Sequence, residues 1–401
     1  MTQMQEKFLT LLRAVLHNEQ SELQLSNAEL QEILEMAMKQ HLLPVIAEMI
    51  PWDSAHAEDN LLVYRQYAIR QSLTEAGRMI DFHALYRSLK QAGVRAIVIK
   101  GVLCSRLYPW EYHRITADND LYISDEELES CHHALLSYGL HTETPVERLH
   151  HEDEITYKDD NNHFYIELHR SLFDSSNDTP DDLNHFFENS FNSSVESDEF
   201  YSLNAHEHLL YLLLHAYKHF IYSGVGIRQT CDIALWAHKY ADQIDWERLL
   251  DECIRVHAGK FAAAQFRIAE KCLGFSLSLP NCWRNIEVDV KPMLDDMFDG
   301  GVYGSADLTR LHTATITLNA IRKSRSGEKS SILRSIFPEK SYMAGRYPYI
   351  EKHPILLPAA WASRIFHYLQ EICCDSSSNA FDSLNLAKER IELLEYYGVI
   401  L

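Results

Sequence analysis

Six consecutive residues, Val94-Arg95-Ala96-Ile97-Val98-Ile99, constrain the fold of this chain more than any other stretch. The run is almost unbroken, apolar and rich in β-branched side chains, and it is too short for a helix. It lacks the polar alternation of a half-exposed strand, so both faces must be covered, as in the interior of a layered sheet. The covering layers are foreshadowed upstream. Phe8, Leu11, Leu12, Val15 and Leu16 recur at helical spacing, and Ser26 with Glu29 forms a capping box ahead of Leu30, Ile33, Leu34 and Met38. A third helical pattern runs over residues 60–93, long enough to admit a break near 72–76, and Gly93 closes it as a C-cap glycine would.

Downstream of the buried run the texture stays mixed. Lys100-Gly101 follow at once, then a helical pattern through Val102, Leu103, Arg106 and Leu107. Residues 116–123 read as a second strand, and Ser124-Asp125-Glu126-Glu127 as the cap of a helix ending at Gly139. Strands are expected at 154–158 and 163–169, joined by the turn-forming Asp159-Asp160-Asn161-Asn162. The expected fold is therefore α+β: a mixed-sheet α/β core at residues 90–175, preceded by an N-terminal helical region at 1–89. A linker rich in Asp, Asn and Ser spans 174–202. Helices return at 207–220, 229–241, 246–257 and 260–273 in a helical domain at 203–290. Residues 291–401 read as loop-rich, then helical.

Charge excludes one class of partner. With 58 acidic against 37 basic residues the net charge is −21. Counterion release at phosphates drives most nucleic-acid affinity, so a nucleic-acid partner is disfavoured. The most basic stretch, Arg322-Lys323-Ser324-Arg325 with Lys329 and Arg334, reads as a solvated linker. The eight cysteines include no Cys-x-x-Cys spacing, which fits buried reduced thiols better than a metal knuckle or a disulfide framework. No apolar run approaches the ~20 residues that cross a bilayer, and the N-terminus shows no secretory pattern. A cytoplasmic protein with no membrane partner is expected.

The chemistry concentrates in three places. In Asp118-Asn119-Asp120-Leu121-Tyr122-Ile123, side chains two apart share a face about 7 Å apart along the strand. Asp118 and Asp120 then stand together while Leu121 and Ile123 face the core. Parallel carboxylates suit divalent cations about 3.5–4 Å apart that clamp a triphosphate, and hard oxygen donors with phosphates point to Mg2+, two ions per site. Lys100-Gly101, at a strand-to-helix turn, offers a point charge and close backbone approach to phosphate. In residues 163–169 the alternation puts Phe164, Ile166 and Leu168 inside and His163, Tyr165, Glu167 and His169 outside. Glu167 thereby supplies the third carboxylate that a two-metal site needs. His208, His215 and His219 share one helix face, read chiefly as packing or capping, with lining of a nucleotide cleft as the sharper alternative. The pairs His132-His133 and His150-His151 read as surface residues.

These residues carry a resemblance. Ile99-Lys100-Gly101, Leu107-Tyr108-Pro109, Arg114, Asp118-x-Asp120-Leu121 and Glu167-Leu168-His169 resemble the uncharacterised nucleotidyltransferase family of the polymerase-β-like superfamily. Leu214-His215-Ala216, Lys218-His219, Arg228, Cys231-Asp232-Ile233-Ala234 and Asp245-Trp246 are similar to its helical segment, and Phe337-Pro338 and Arg346-Tyr347-Pro348 to its tail. The resemblance implies a minimal nucleotidyltransferase core with Asp118, Asp120 and Glu167 as catalytic metal ligands. It implies nucleotide binding by Lys100, Gly101, Arg114 and His169. The implied reaction moves a nucleoside monophosphate, AMP from ATP, onto a hydroxyl of a small molecule, peptide or protein. Two rivals stand beside it: an inactive nucleotide-binding module, and a toxin-like enzyme acting on tRNA, which the charge disfavours. Asn119 occupies a position that is apolar in the family. Since an unpaired buried amide costs about 1–3 kcal/mol, it must be exposed or hydrogen-bonded.

Overall fold

The computed structural model describes residues 1–52, 59–116, 118–161, 163–173, 182–197, 199–222, 224–302, 317–318, 320–321, 343, 347, 349–361, 363 and 380–400. The basic stretch at 322–334, Phe337-Pro338, Arg346, Pro348 and the Cys373-Cys374 pair lie outside these residues.

Three helices, α1 (Gln3–Leu16), α2 (Asn27–Lys39) and the short α3 (Leu43–Ala47), precede a 33-residue α4 (Asp59–Gln91). The capping box at Ser26 forms as the sequence predicts, with Ser26 accepting from the Glu29 amide. No break interrupts α4. Ser72 turns its hydroxyl back onto the Ala68 carbonyl at 3.0 Å, satisfying itself within the helix.

Strand β1 (Ile97–Ile99) occupies the C-terminal half of the predicted apolar run and is followed by α5 (Gly101–Ser105). β2 (Asn119–Tyr122) and α6 (Leu128–Tyr138) come next, then the hairpin β3 (Glu154–Lys158) and β4 (Tyr165–His169). Asp159 closes that hairpin, accepting from the His163 and Phe164 amides at 2.7 and 2.9 Å. The expected cap at Ser124 does not form: α6 begins after Glu127 with no side-chain cap. Gly139 does end it in the left-handed region, at φ +105°.

The stretch expected to be a linker contributes to the sheet. It contains α7 (Ser190–Ser193), β5 (Val195–Glu196) and β6 (Tyr201–Ser202). The six strands run in the order β3-β4-β2-β1-β6-β5. β1 pairs antiparallel with β2 and parallel with β6, and β2 pairs parallel with β4. Two-residue strands carry too little alternation to be read from sequence; what fixes β6 is pairing with the buried β1.

The sheet divides the core. On one face Val98, Leu121, Ile123, Ile155, Tyr157, Ile166 and Leu168 pack with Phe82, Leu85 and Leu89 of α4 and with Leu128, Cys131 and Leu135 of α6. His132 belongs to this layer as well. It is buried and its Nδ1 lies 2.7 Å from the Tyr157 hydroxyl, so only His133 of that pair is a surface residue. On the other face Ile97, Ile99 and Tyr122 join a core that includes α8 (Ala205–Tyr222), α9 (Ile227–Lys239), α10 (Trp246–Arg255) and α11 (Gly259–Lys271). That second face carries the chemistry.

Candidate active site

The site is built at the β1, β2 and β4 strand ends on the face turned towards α8. Backbone register does most of the assembly. Asp120 is the direct partner of Ile99 on β1 and of Glu167 on the parallel β4, and Tyr122 partners His169. The carboxylates of Asp120 and Glu167 therefore emerge side by side from neighbouring strands. Sequence alternation put them on one face, opposite Leu121 and Ile123, yet Asp120 is 2% exposed, because the helical layer closes over this face as well.

Among the described residues, Asp120, Glu167 and His169 form a group whose ligand atoms all lie within 4.8 Å of one another. His169 Nε2 is 3.0 Å from Asp120 Oδ1 and 3.8 Å from Glu167 Oε2. Asp118, half-buried just before β2, lies outside this 4.8 Å group, so the tightest donor set is two carboxylates and an imidazole. That set, at that spacing, fits a divalent cation.

The electrostatics are those of crowded carboxylates. Burial, reinforced by the charges of Asp118 and Asp120, pushes Glu167 up to about 8. Burial pulls Asp120 in the same direction, but the Lys100 ammonium and the His169 hydrogen bond outweigh it and hold Asp120 at about 2. One carboxyl is thus locked ionised and its neighbour holds a proton at neutral pH, an arrangement typical of functional sites.

Lys100 is held at both ends. Its Nζ is 3.0 Å from Asp120 Oδ1 and 3.2 Å from His215 Nε2, and it lies 5.8 Å from the centre of the Tyr211 ring. Its amide donates to His208 Nε2 at 3.3 Å. The backbone here sits at φ +50°, a region side chains other than glycine rarely adopt. Gly101 follows at φ +38°, where the missing Cβ matters, and it is buried against the Asp118 carbonyl. The α8 histidines thus form the cradle of Lys100. His219 stands behind His215, Nε2 to Nε2 at 3.3 Å. Burial lowers all three histidines, with His208 and His219 near 3, so they serve this cradle as neutral rings, His208 accepting from the Lys100 amide.

The segment leading into Asp118 is clamped from two sides. Glu75 and Arg78 of α4 satisfy the Thr116 amide and carbonyl at 3.0 and 2.8 Å, and Arg228 of α9 donates to the Ile115 carbonyl. Arg114 is turned away from the carboxylate group. Its Nε and Nη2 form a two-pronged pair with Asp232 of α9 at 3.0 and 2.8 Å, and the Tyr108 hydroxyl donates to the same carboxylate at 2.9 Å. With side chains 5% and 6% exposed, this is a buried ion pair. It joins the Leu107-Tyr108-Pro109 and Arg114 motifs to Cys231-Asp232, whose role the sequence left unassigned; an acid flanked by apolar residues in the helix expected at 229–241 was the available signal. Asn119 meets its requirement through a 3.4 Å hydrogen bond to the Tyr165 carbonyl.

A family model described as uncharacterised nucleotidyltransferase matches residues 26–274, a span that takes in the sheet, its carboxylates and helices α8 to α11. No curated protein and no solved structure matches the chain. None of the described helices is long and apolar enough to cross a membrane.

Proposed function

Because this chain belongs to the uncharacterised nucleotidyltransferase family, we propose that it moves a nucleoside monophosphate, AMP from ATP, onto a hydroxyl of a small molecule, peptide or protein. The observation that carries the proposal is the in-register pairing of Asp120 with Glu167 beneath Lys100. It gathers acid, ammonium and imidazole where a triphosphate needs both cations and cation ligands.

Divalent cations at such a site neutralise phosphate charge and polarise the attacked phosphorus. Asp118, Asp120 and Glu167 are the residues proposed to hold them, with Mg2+ as the ion the oxygen donors suit. Lys100 is held so that its ammonium leaves Asp120 for a phosphate oxygen when nucleotide enters. His215 and Tyr211 guide that short movement, and Gly101 and His169 complete the nucleotide side. The acceptor oxygen attacks the α-phosphorus, its bond to the β-phosphate bridging oxygen breaks, pyrophosphate leaves, and the hydroxyl proton passes to a carboxylate of the site. Arg114 belongs here through the fold: with Asp232 it fixes the segment that delivers Asp118.

The test is incubation with ATP labelled at the α- or γ-phosphate together with cell lysate. Label reaching an acceptor from the α- but not the γ-position, and only with a divalent cation, supports the reading. ATP that binds but never transfers label would favour the inactive nucleotide-binding module instead.

A further inference from the structure

His169 is more than a neighbour of the carboxylates. Its two ring nitrogens face different groups. Nε2 looks onto Asp120 and Glu167, at 3.0 and 3.8 Å, while Nδ1 is 3.7 Å from Glu154 Oε2. The second contact is also written into the backbone, since Glu154 of β3 is the direct register partner of His169 on β4. An imidazole with one nitrogen among acidic ligand atoms and the other against an outer carboxylate is how proteins present histidine to a metal. With a cation bound, the outer carboxylate would hold the proton on Nδ1, fix the ring and turn the Nε2 lone pair to the ion, in place of the hydrogen bond that Nε2 gives Asp120 without it.

We infer that His169 serves the site's cation rather than the nucleotide, with Glu154 as its positioning residue, and that this added imidazole makes the site prefer a borderline d-block divalent ion of the Mn2+ type over the Mg2+ that its oxygen donors alone suit. The chemistry is that of the donor set. Mg2+ keeps oxygen ligands and waters and gains little from an imidazole, whereas Mn2+ and its neighbours accept carboxylate and imidazole together. The inference rests on the proposal that these carboxylates hold a cation, and it does not depend on nucleotidyl transfer.

The test uses the full chain without nucleotide. Mn2+ and Mg2+ are titrated calorimetrically, and the Mn2+ complex is studied by pulsed electron paramagnetic resonance with histidine in 14N and 15N form. A directly bound imidazole gives nitrogen modulation in the wild type that changes on 15N labelling, a measurement that needs no variant to fold. His169→Ala, or His169→Gln if the alanine variant is unstable, should remove that signal. It should also weaken Mn2+ by more than ~10-fold while moving Mg2+ by less than ~3-fold; Glu154→Gln should weaken Mn2+ by ~10-fold. Imidazole coupling with no transfer to any acceptor would leave this inference standing and sink the transferase. Absence of nitrogen coupling in the wild type, its persistence in the His169 variant, or equal loss of both ions would overturn it.

Discussion

Removing the Asp232 carboxylate should unfold this protein more readily without touching its nucleotide chemistry directly. Asp232→Ala leaves the Arg114 guanidinium buried and unpaired and deprives the Tyr108 hydroxyl of its acceptor. Breaking a buried ion pair from one side costs about 3–5 kcal/mol, and an orphaned hydroxyl adds on the order of 1–3 kcal/mol. The two losses share one carboxylate and overlap, so about 4–6 kcal/mol is expected. At roughly 2–4 °C per kcal/mol for a domain of this size class, Tm should fall by about 8–24 °C. Thermal unfolding followed by tryptophan fluorescence reads this, because Trp236 lies on the same helix as Asp232. Arg114→Met should destabilise similarly, whereas Arg114→Met with Asp232→Leu should regain most of the loss, since a packed apolar pair replaces a buried ionic one at little cost. The contrary result is specific: Arg114→Met with unchanged Tm and sharply weaker ATP binding would place the guanidinium on the phosphates, as the family resemblance implied.

Three further outcomes follow from the site. At pH 7 the metal-free Glu167 carboxyl, raised to about 8, is mostly protonated, so cation and nucleotide binding should release close to one proton per site. Release should fade as pH rises through 8, and cation affinity should climb up to that pH; calorimetry in buffers of different ionisation enthalpy checks this, and flat affinity between pH 6 and 8 would refute it. Lys100→Ala should weaken ATP by ~10-fold or more, the worth of one charge-assisted phosphate contact, and an unchanged ATP titration would end the phosphate role. Generic RNA or DNA should bind negligibly near physiological salt given the net charge of −21; micromolar affinity that collapses with added salt would reveal an assembled basic surface.

Much of this site was legible because period-two alternation is local. The pattern of residues 163–169 separated Ile166 and Leu168 from Glu167 and His169, and the two sheet faces keep that division. What stayed hidden depends on partners far away in sequence. Nothing in Asp118-x-Asp120 shows that Asp120 will be buried, because the cover comes from α8, about ninety residues on. The shared helix face of His208, His215 and His219 was visible, but its task was not, since it is defined by Lys100 at the distant turn between β1 and α5. The partner of Arg114 was hidden for the same reason: the resemblance implied a nucleotide role, and only the fold supplies Asp232. Strands β5 and β6 were missed because two residues have no period, and the pairing with β1 that makes them strands is non-local.

The most direct test of the account is the transfer rate of Asp120→Asn beside wild type, measured with α-labelled ATP and an acceptor recovered from lysate. Asparagine keeps the shape and one oxygen facing Lys100 and His169, so the circular dichroism spectrum should be preserved. Loss of a metal ligand and its charge should lower transfer by at least ~10²-fold. A folded Asp120→Asn variant that transfers label at the wild-type rate, or a wild-type protein as active in EDTA as with divalent cation, would contradict the metal-dependent site at its foundation.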